Sequence, residues 1–305
     1  MTDNLRAAFA DTMLHAGAGD SNLVVVVGDI SHGILKPFSE KFPTRFYNIG
    51  ILEPAMMSIA AGLSRVGLNP VVHTIAPFLI ERSFEQIKLD FGYQKLSVSL
   101  ISVGGTFDYS QLGVSHHSYS DVALISEIPG SKVFVPGSAE EFRKLFAENY
   151  LTSGVKYFRL TENPHGAHLS LPERLGHESI RVLAGDDLTI ITTGAMLRGC
   201  LEAAQILSAK HSVDVLHFPT VRPFDSDGFM KSVVRTGRYL SVEELSPRGG
   251  LSNAVLEALA GVPQIQGARL SVNSIIHGYG SHNDLLNTAG LSVEHIVAAA
   301  RKVLE

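Results

Sequence analysis

The sequence has one cysteine, no long apolar run and no surplus of basic charge, and each lack removes a class of protein. A single thiol, Cys200, cannot close an internal disulfide, which argues for a reducing compartment and leaves packing as its plain role. No apolar segment reaches the roughly 20 residues that a membrane-spanning helix needs. The opening residues, Met1 to Leu5, are polar and charged rather than a hydrophobic leader. The expectation is a soluble, cytoplasmic protein with no membrane association. With 25 Lys and Arg against 30 Asp and Glu, a formal charge of -5, the chain carries no nucleic-acid footprint. Neither His116 nor His117 has a convincing Cys, Asp or Glu partner at metal-motif spacing, so no metal ligands are assigned.

What is present is a chain of 305 residues, 45% hydrophobic and 18% charged, enough for one large core or two ordinary ones. Short Val- and Ile-rich runs alternate with Ala-rich stretches, which reads as α/β. Strands are predicted over 22–29, 46–49, 70–75, 96–103, 132–136 and 155–160, with helices over 5–17, 53–64, 78–91 and 139–150. The near-continuous apolar character of 22–29 suits the middle of a parallel sheet covered on both faces. That pattern is one doubly wound unit, whose ligand should sit on the loops after the strands. The run 161–172 contains two prolines and little periodicity, and a second α/β pattern follows, with strands over 188–192, 213–217 and 239–243. The expected division is a first domain over 1–165, a linker over 166–180 and a second doubly wound domain over 181–305.

Glu53 is the most informative residue, an acid at the head of an apolar helical run and next to Pro54, whose fixed φ suits a first helical turn. Its ordinary reading is an acid that neutralises a helix N-terminus. Its functional reading is a carboxyl group that shares a proton with a ligand. Phe78, beside a strand end, either packs in the core or offers its ring to a planar ligand. Phe84 and Ile87 should be core, while Glu81 and Glu85 can face solvent. Gly104-Gly105 allows close backbone approach, and His116-His117 offers donors or acceptors near neutral pH. Of the two, His116 is preferred as functional. Gly249-Gly250 could bring a helix N-terminus to an anion, although a tight turn is more economical. Arg222 before Pro223 reads as a surface or inter-domain ion pair.

In their order and spacing, several blocks resemble the carboxy-terminal half of the transketolase family, above all the small subunits of transketolases split into two chains. These blocks are Gly28-Asp29, 49–62, the Phe-x-x-x-Arg-x-x-x-Gln-Ile pattern from Phe78 to Ile87, Gly104-Gly105, Ser115-His116-His117, Val135-Pro136-Gly137 and Val242-Glu243-Glu244 with Gly249-Gly250-Leu251. The resemblance implies a thiamine diphosphate pyrimidine-binding domain followed by a transketolase-type carboxy-terminal domain. It implies that Glu53 hydrogen-bonds N1′ of the aminopyrimidine, that Phe78 stacks on that ring with Ile51 also at the cofactor, and that His116, His32 and His117 meet the substrate. It further implies transfer of a two-carbon ketol unit from a ketose to an aldehyde.

The family's Gly-Asp-Gly motif with its later Asn, which holds diphosphate through Mg2+, has no counterpart here. A separate large subunit is therefore expected to bind the diphosphate and Mg2+, in a homodimer of heterodimers. Other departures concern the substrate. Leu112 replaces an acid that bonds a sugar hydroxyl, Gly104 replaces a phosphate-contacting histidine, and Glu162 stands where an arginine is common. The first puts the usual preference for hydroxylated aldoses in doubt, and the other two a terminal phosphate on the substrate. Competing readings are a β-type subunit of a 2-oxo acid dehydrogenase, a deoxyxylulose phosphate synthase-like subunit, and a non-catalytic small-molecule-binding or regulatory partner.

Overall fold

A computed structural model describes residues 4–305. Seven strands form the first sheet, in the order β10-β5-β6-β4-β3-β1-β2. They are β1 (Leu23–Val27), β2 (Phe46–Asn48), β3 (Asn69–Ile75), β4 (Val98–Val103), β5 (Lys132–Phe134), β6 (Val155–Arg159) and β10 (Thr220–Arg222). All pair in parallel except β10, which runs antiparallel to β5. The second sheet has the order β12-β11-β8-β9-β7, built from β7 (Ile180–Leu183), β8 (Leu188–Thr192), β9 (Val213–His217), β11 (Arg238–Val242) and β12 (Gln266–Leu270).

Burial follows from the residues. All five side chains of β1 are buried, as expected of a strand covered by helices on both faces. On one face, Phe9, Phe38, Phe142, Phe146 and Phe158 pack together, with Phe9 and Phe142 contributed by the helices Leu5–Gly19 and Ala139–Asn149. On the other, Met56, Met57, Leu79, Ile80 and Phe91 make a second core. Cys200 is fully buried in the helix Leu197–Leu207, and burial pushes its thiol up to about 12.

Three strands fall outside the sequence-based expectation, β7, β10 and β12. Each is short and lies at a sheet edge, where pairing needs no apolar run. Strand β10 also leaves the second half of the chain to complete the first sheet. The segment expected as a regular helix over 78–91 is instead two π-helical turns, Pro77–Glu81 and Ile87–Tyr93, around a short α-turn at Phe84–Gln86. Pro77 has no N–H to give an α-ladder, and Arg82 N reaches the Pro77 carbonyl at 3.0 Å. Ile87 is buried and Phe84 is half-buried against the same core.

Behind the sheets, Glu141 ties the two domains. Its carboxylate accepts from His165 Nε2 at 2.7 Å, from Gly137 N at 2.7 Å and from His217 Nε2 at 3.3 Å, and all three side chains are buried. Among the described residues, Glu141, His165 and His217 are the one cluster with a metal-like donor set. Ala167 N donates to His165 Nδ1 at 3.0 Å, so the ring's own proton sits on Nε2 and points at Glu141. A hydrogen bond therefore occupies the direction a metal ion would need. Burial pushes the Glu141 carboxyl up, but the charge and hydrogen bonds of His217 and His165 outweigh it and leave it well below the usual range. We expect Glu141→Ala to cost about 3–5 kcal/mol by leaving buried donors unpaired, and the exposed Glu140→Ala less than about 0.5 kcal/mol. Urea unfolding checks both, and equal small effects would remove the tether.

Candidate active site

The loops that follow β1, β2, β3, β4 and β6 all leave the same end of the first sheet, because those strands are parallel. In such sheets that end forms the ligand crevice. Glu53 opens the helix Glu53–Arg65 after β2 and is 1% exposed. Its Oε2 accepts from Arg82 Nη1 at 2.8 Å, and no other side chain among the described residues bonds it. The Arg82 guanidinium lies 4.1 Å from the centre of the Phe78 ring, and the His116 ring meets Phe78 edge-on at 5.1 Å. Glu53, Phe78 and His116 are thus brought together, with Arg82 as the bridge to which the sequence pattern assigns no role.

His116 is half-exposed and shares a hydrogen bond with Ser115 Oγ at 3.0 Å. Burial, then the Arg82 charge, lowers its pKa, so the ring is neutral at neutral pH. Other candidates are dispersed. Ile51 is 66% exposed on the bend before Glu53, and His32 is exposed on the loop after β1. His117 is buried, its ring edge-on to Phe107 at 5.4 Å. Glu85 is exposed. Glu81 is exposed as well, but it accepts from Ser118 Oγ at 3.3 Å, and partial burial of its carboxyl, then the Asp121 charge, pushes it up to about 7.

The loop carrying His116 is closed by an isolated bridge between Thr106 and Ser118 and locked from beneath by Arg159. This guanidinium, 1% exposed, donates Nε to Asp121 Oδ2 at 2.8 Å and Nη2 to the Ser118 carbonyl at 2.8 Å. It also bonds Thr106 Oγ1, and it reaches Glu244 of the second domain at 3.3 Å. Gly105 is required because any Cβ there would strike this guanidinium. Thr106 sits at φ 38, a strained value held by its bonds to Arg159 and the Glu244 carbonyl. The helix N-terminus after Gly249-Gly250 is capped from within the chain. The Glu243 carboxylate accepts from Leu251 N and Ser252 N at 2.7 and 2.8 Å and so fills that helix N-terminus itself.

Beyond His116 the Tyr109 ring stands 6.2 Å away, edge-on. It fills the space over Gly104, whose φ of 73 and missing side chain make room for it. Tyr109 feels the charges of Glu162 and Arg6, Glu162 pairs with Arg6 Nη1 at 3.3 Å, and Arg6 Nη2 donates to Ser31 Oγ at 3.2 Å. Ser31, at φ 57, lies 2.9 Å from His73 Nε2, while His73 Nδ1 is 2.8 Å from the Ile101 carbonyl. A carbonyl only accepts, so His73 carries its proton on Nδ1 and the Ser31 hydroxyl donates to Nε2. Sequence patterns do not reveal this chain of contacts because its members lie up to 156 positions apart.

Comparison with known proteins places the same blocks in one family. Residues 3–165 match the transketolase pyrimidine-binding domain and residues 178–296 the transketolase C-terminal domain. A 6-deoxy-6-sulfo-D-fructose transketolase subunit from Clostridium sp. (strain MSTE9) is 30% identical over 305 residues, covering 99% of this chain and 94% of its own. One of the subunits of an apulose-4-phosphate transketolase, from Phocaeicola vulgatus, is 30% identical over 306 residues, covering 97% of this chain and 96% of its own. A solved structure described as a split gene transketolase, inactive beta4 tetramer, superposes with a TM-score of 0.86 at 30% identity over 98% of this chain and 97% of that one.

The buried His73 sets a pH dependence for the loop after β1. Burial first, with the Arg6 charge adding, lowers its pKa from 6.5 to about 4, against the opposing hydrogen bond to Ile101. The folded chain thus prefers the neutral ring, and this stability is complete above pH 6.5 and lost as pH falls toward 4. We expect the urea midpoint of His73→Gln to fall less steeply than wild type across that window. Parallel profiles would refute the assignment.

Proposed function

Because the chain belongs to the transketolase family, in the form of a split-gene small subunit, we propose that it joins a separate large subunit in a thiamine diphosphate-dependent enzyme that moves a two-carbon ketol unit from a ketose to an aldehyde. The observation that carries this reading is the Glu53 carboxylate. It is buried beside an aromatic face, its Oε2 is held by Arg82, and its Oε1 has no side-chain partner among the described residues. A nitrogen heterocycle with a proton to share fits that free oxygen, and Phe78 offers the face on which such a ring stacks.

When bound, thiamine diphosphate supplies the carbon nucleophile and the electron sink that carbon–carbon cleavage needs. The chain's own residues then have distinct tasks. Glu53 holds a proton at N1′ of the aminopyrimidine, and its dry setting strengthens that hydrogen bond. Phe78 and Ile51 orient the ring. His116, neutral and edge-on to Phe78, hydrogen-bonds a substrate oxygen, with His32 on the loop after β1 and the buried His117 next in the chain.

The large subunit would hold the diphosphate and Mg2+. Mg2+ takes oxygen ligands, whereas the one metal-like cluster among the described residues is closed by internal hydrogen bonds. The large subunit also has a surface to cover. Ile34, Tyr47, Ile51, Leu52, Leu112 and Val114 are all more than a third exposed around this end of the sheet, and apolar groups gathered in this way mark contact sites. A homodimer of such heterodimers would bury them. We expect Glu53→Gln to fold and to associate with the large subunit, and to slow exchange of the cofactor C2 proton on the order of a hundredfold or more. Wild-type exchange rates in the reconstituted complex would sink the role given to Glu53.

A further inference from the structure

The groups beyond His116 form a continuous wall whose chemistry is set by pairs rather than by single residues. Tyr109 stands edge-on to His116 and occupies the place a side chain at 104 would take. Glu162 is close enough for its charge to act on the Tyr109 hydroxyl, and Glu162 holds Arg6 at 3.3 Å. Arg6 in turn donates to Ser31 Oγ at 3.2 Å. We propose that Tyr109, Glu162 and Arg6 form the far wall of the substrate channel and select ketoses and aldehydes whose far end bears hydroxyl groups and no anionic group. The proposal rests on the ketol-transfer reading of the same site and names its substrate class.

The argument is one of charge. Arg6 is the wall's cation, and the Glu162 carboxylate cancels it at contact distance. Tyr109 contributes a neutral phenol, since burial, then the Glu162 charge, pushes it up to about 12. His73, behind Ser31, is neutral as well. Behind Glu162 lies a second carboxyl, Asp108, which accepts from Thr161 Oγ1 at 2.9 Å, Asn163 Nδ2 at 2.7 Å and Glu162 N at 3.1 Å. A phosphate or sulfonate entering here would shed water and find no uncompensated cation in this wall to replace it, an unfavourable exchange. A hydroxyl would find a phenol that can donate and a carboxylate edge that accepts.

The test uses unreactive polyols, so that recognition is read apart from turnover. Calorimetric titration of the reconstituted, cofactor-loaded complex with arabinitol and with arabinitol 5-phosphate should show arabinitol binding at least as tightly. Glu162→Gln frees Arg6, and we expect it to tighten arabinitol 5-phosphate about tenfold while arabinitol changes less than about threefold. Adding Arg6→Met should abolish that gain. A wild-type preference for the phosphate, an equal shift of both ligands in Glu162→Gln, or no binding of either polyol would overturn the proposal. Failure of the ketol-transfer reading shows differently: the polyol preference would hold, yet no ketose, phosphorylated or free, would yield product.

Discussion

One buried guanidinium organises this molecule. Arg159 ends β6 and is almost wholly excluded from solvent, so every one of its bonds must be made inside the protein. It meets that demand by joining Asp121, the Ser118 carbonyl, Thr106 and Glu244, which together span both domains and both ends of the His116 loop. Burial pushes the Glu244 carboxyl up, but His282 and Arg159 outweigh it and leave it lowered, which keeps the inter-domain pair ionised. Removing either carboxylate would leave buried charge less well balanced, so the geometry of the loop is bound to the packing of the domains.

Against this closed network, the Glu53–Arg82 pair is open. Arg82 is 42% exposed in its side chain while Glu53 is 1% exposed, so one partner can move into solvent while the other cannot. A fully satisfied pair builds structure, and a half-satisfied buried acid is suited to meet a ligand. The same contrast holds between the Glu141 tether, whose donors are all internal, and the partly exposed Arg6–Glu162 pair at the crevice end of the sheet. Strained residues gather around that crevice, with Asp29, Ser31 and Thr106 all at positive φ, held there by hydrogen bonds from neighbouring loops.

Much of the fold was legible because its central strands are apolar on both faces and its helices are amphipathic. The runs at β1, β4 and β8 could hardly be anything but buried strands. Edge strands β7, β10 and β12 were not legible, since three to five residues with mixed polarity leave no period. The π-helical turns around Phe84 escaped for a related reason: apolar spacing reports a helical face but not which carbonyl each N–H chooses. Within the site, Glu53, Phe78 and His116 were readable as unusual residues at strand ends. Arg82 was visible only as part of a pattern, and its bridging position depends on that π-turn.

By itself the sequence determined the two α/β domains and their family, and it singled out Glu53, Phe78 and His116, because patterning and local motifs act over a few positions. Only the tertiary structure decided how charges far apart in the chain compensate one another. Arg159 finds Glu244 across 85 positions and Arg6 finds Glu162 across 156, distances over which no local signal survives. Whether a charged residue is a free ligand group or a spent partner is a property of its neighbours in space, and the parallel strands that gather those neighbours at one sheet end exist only in the folded chain.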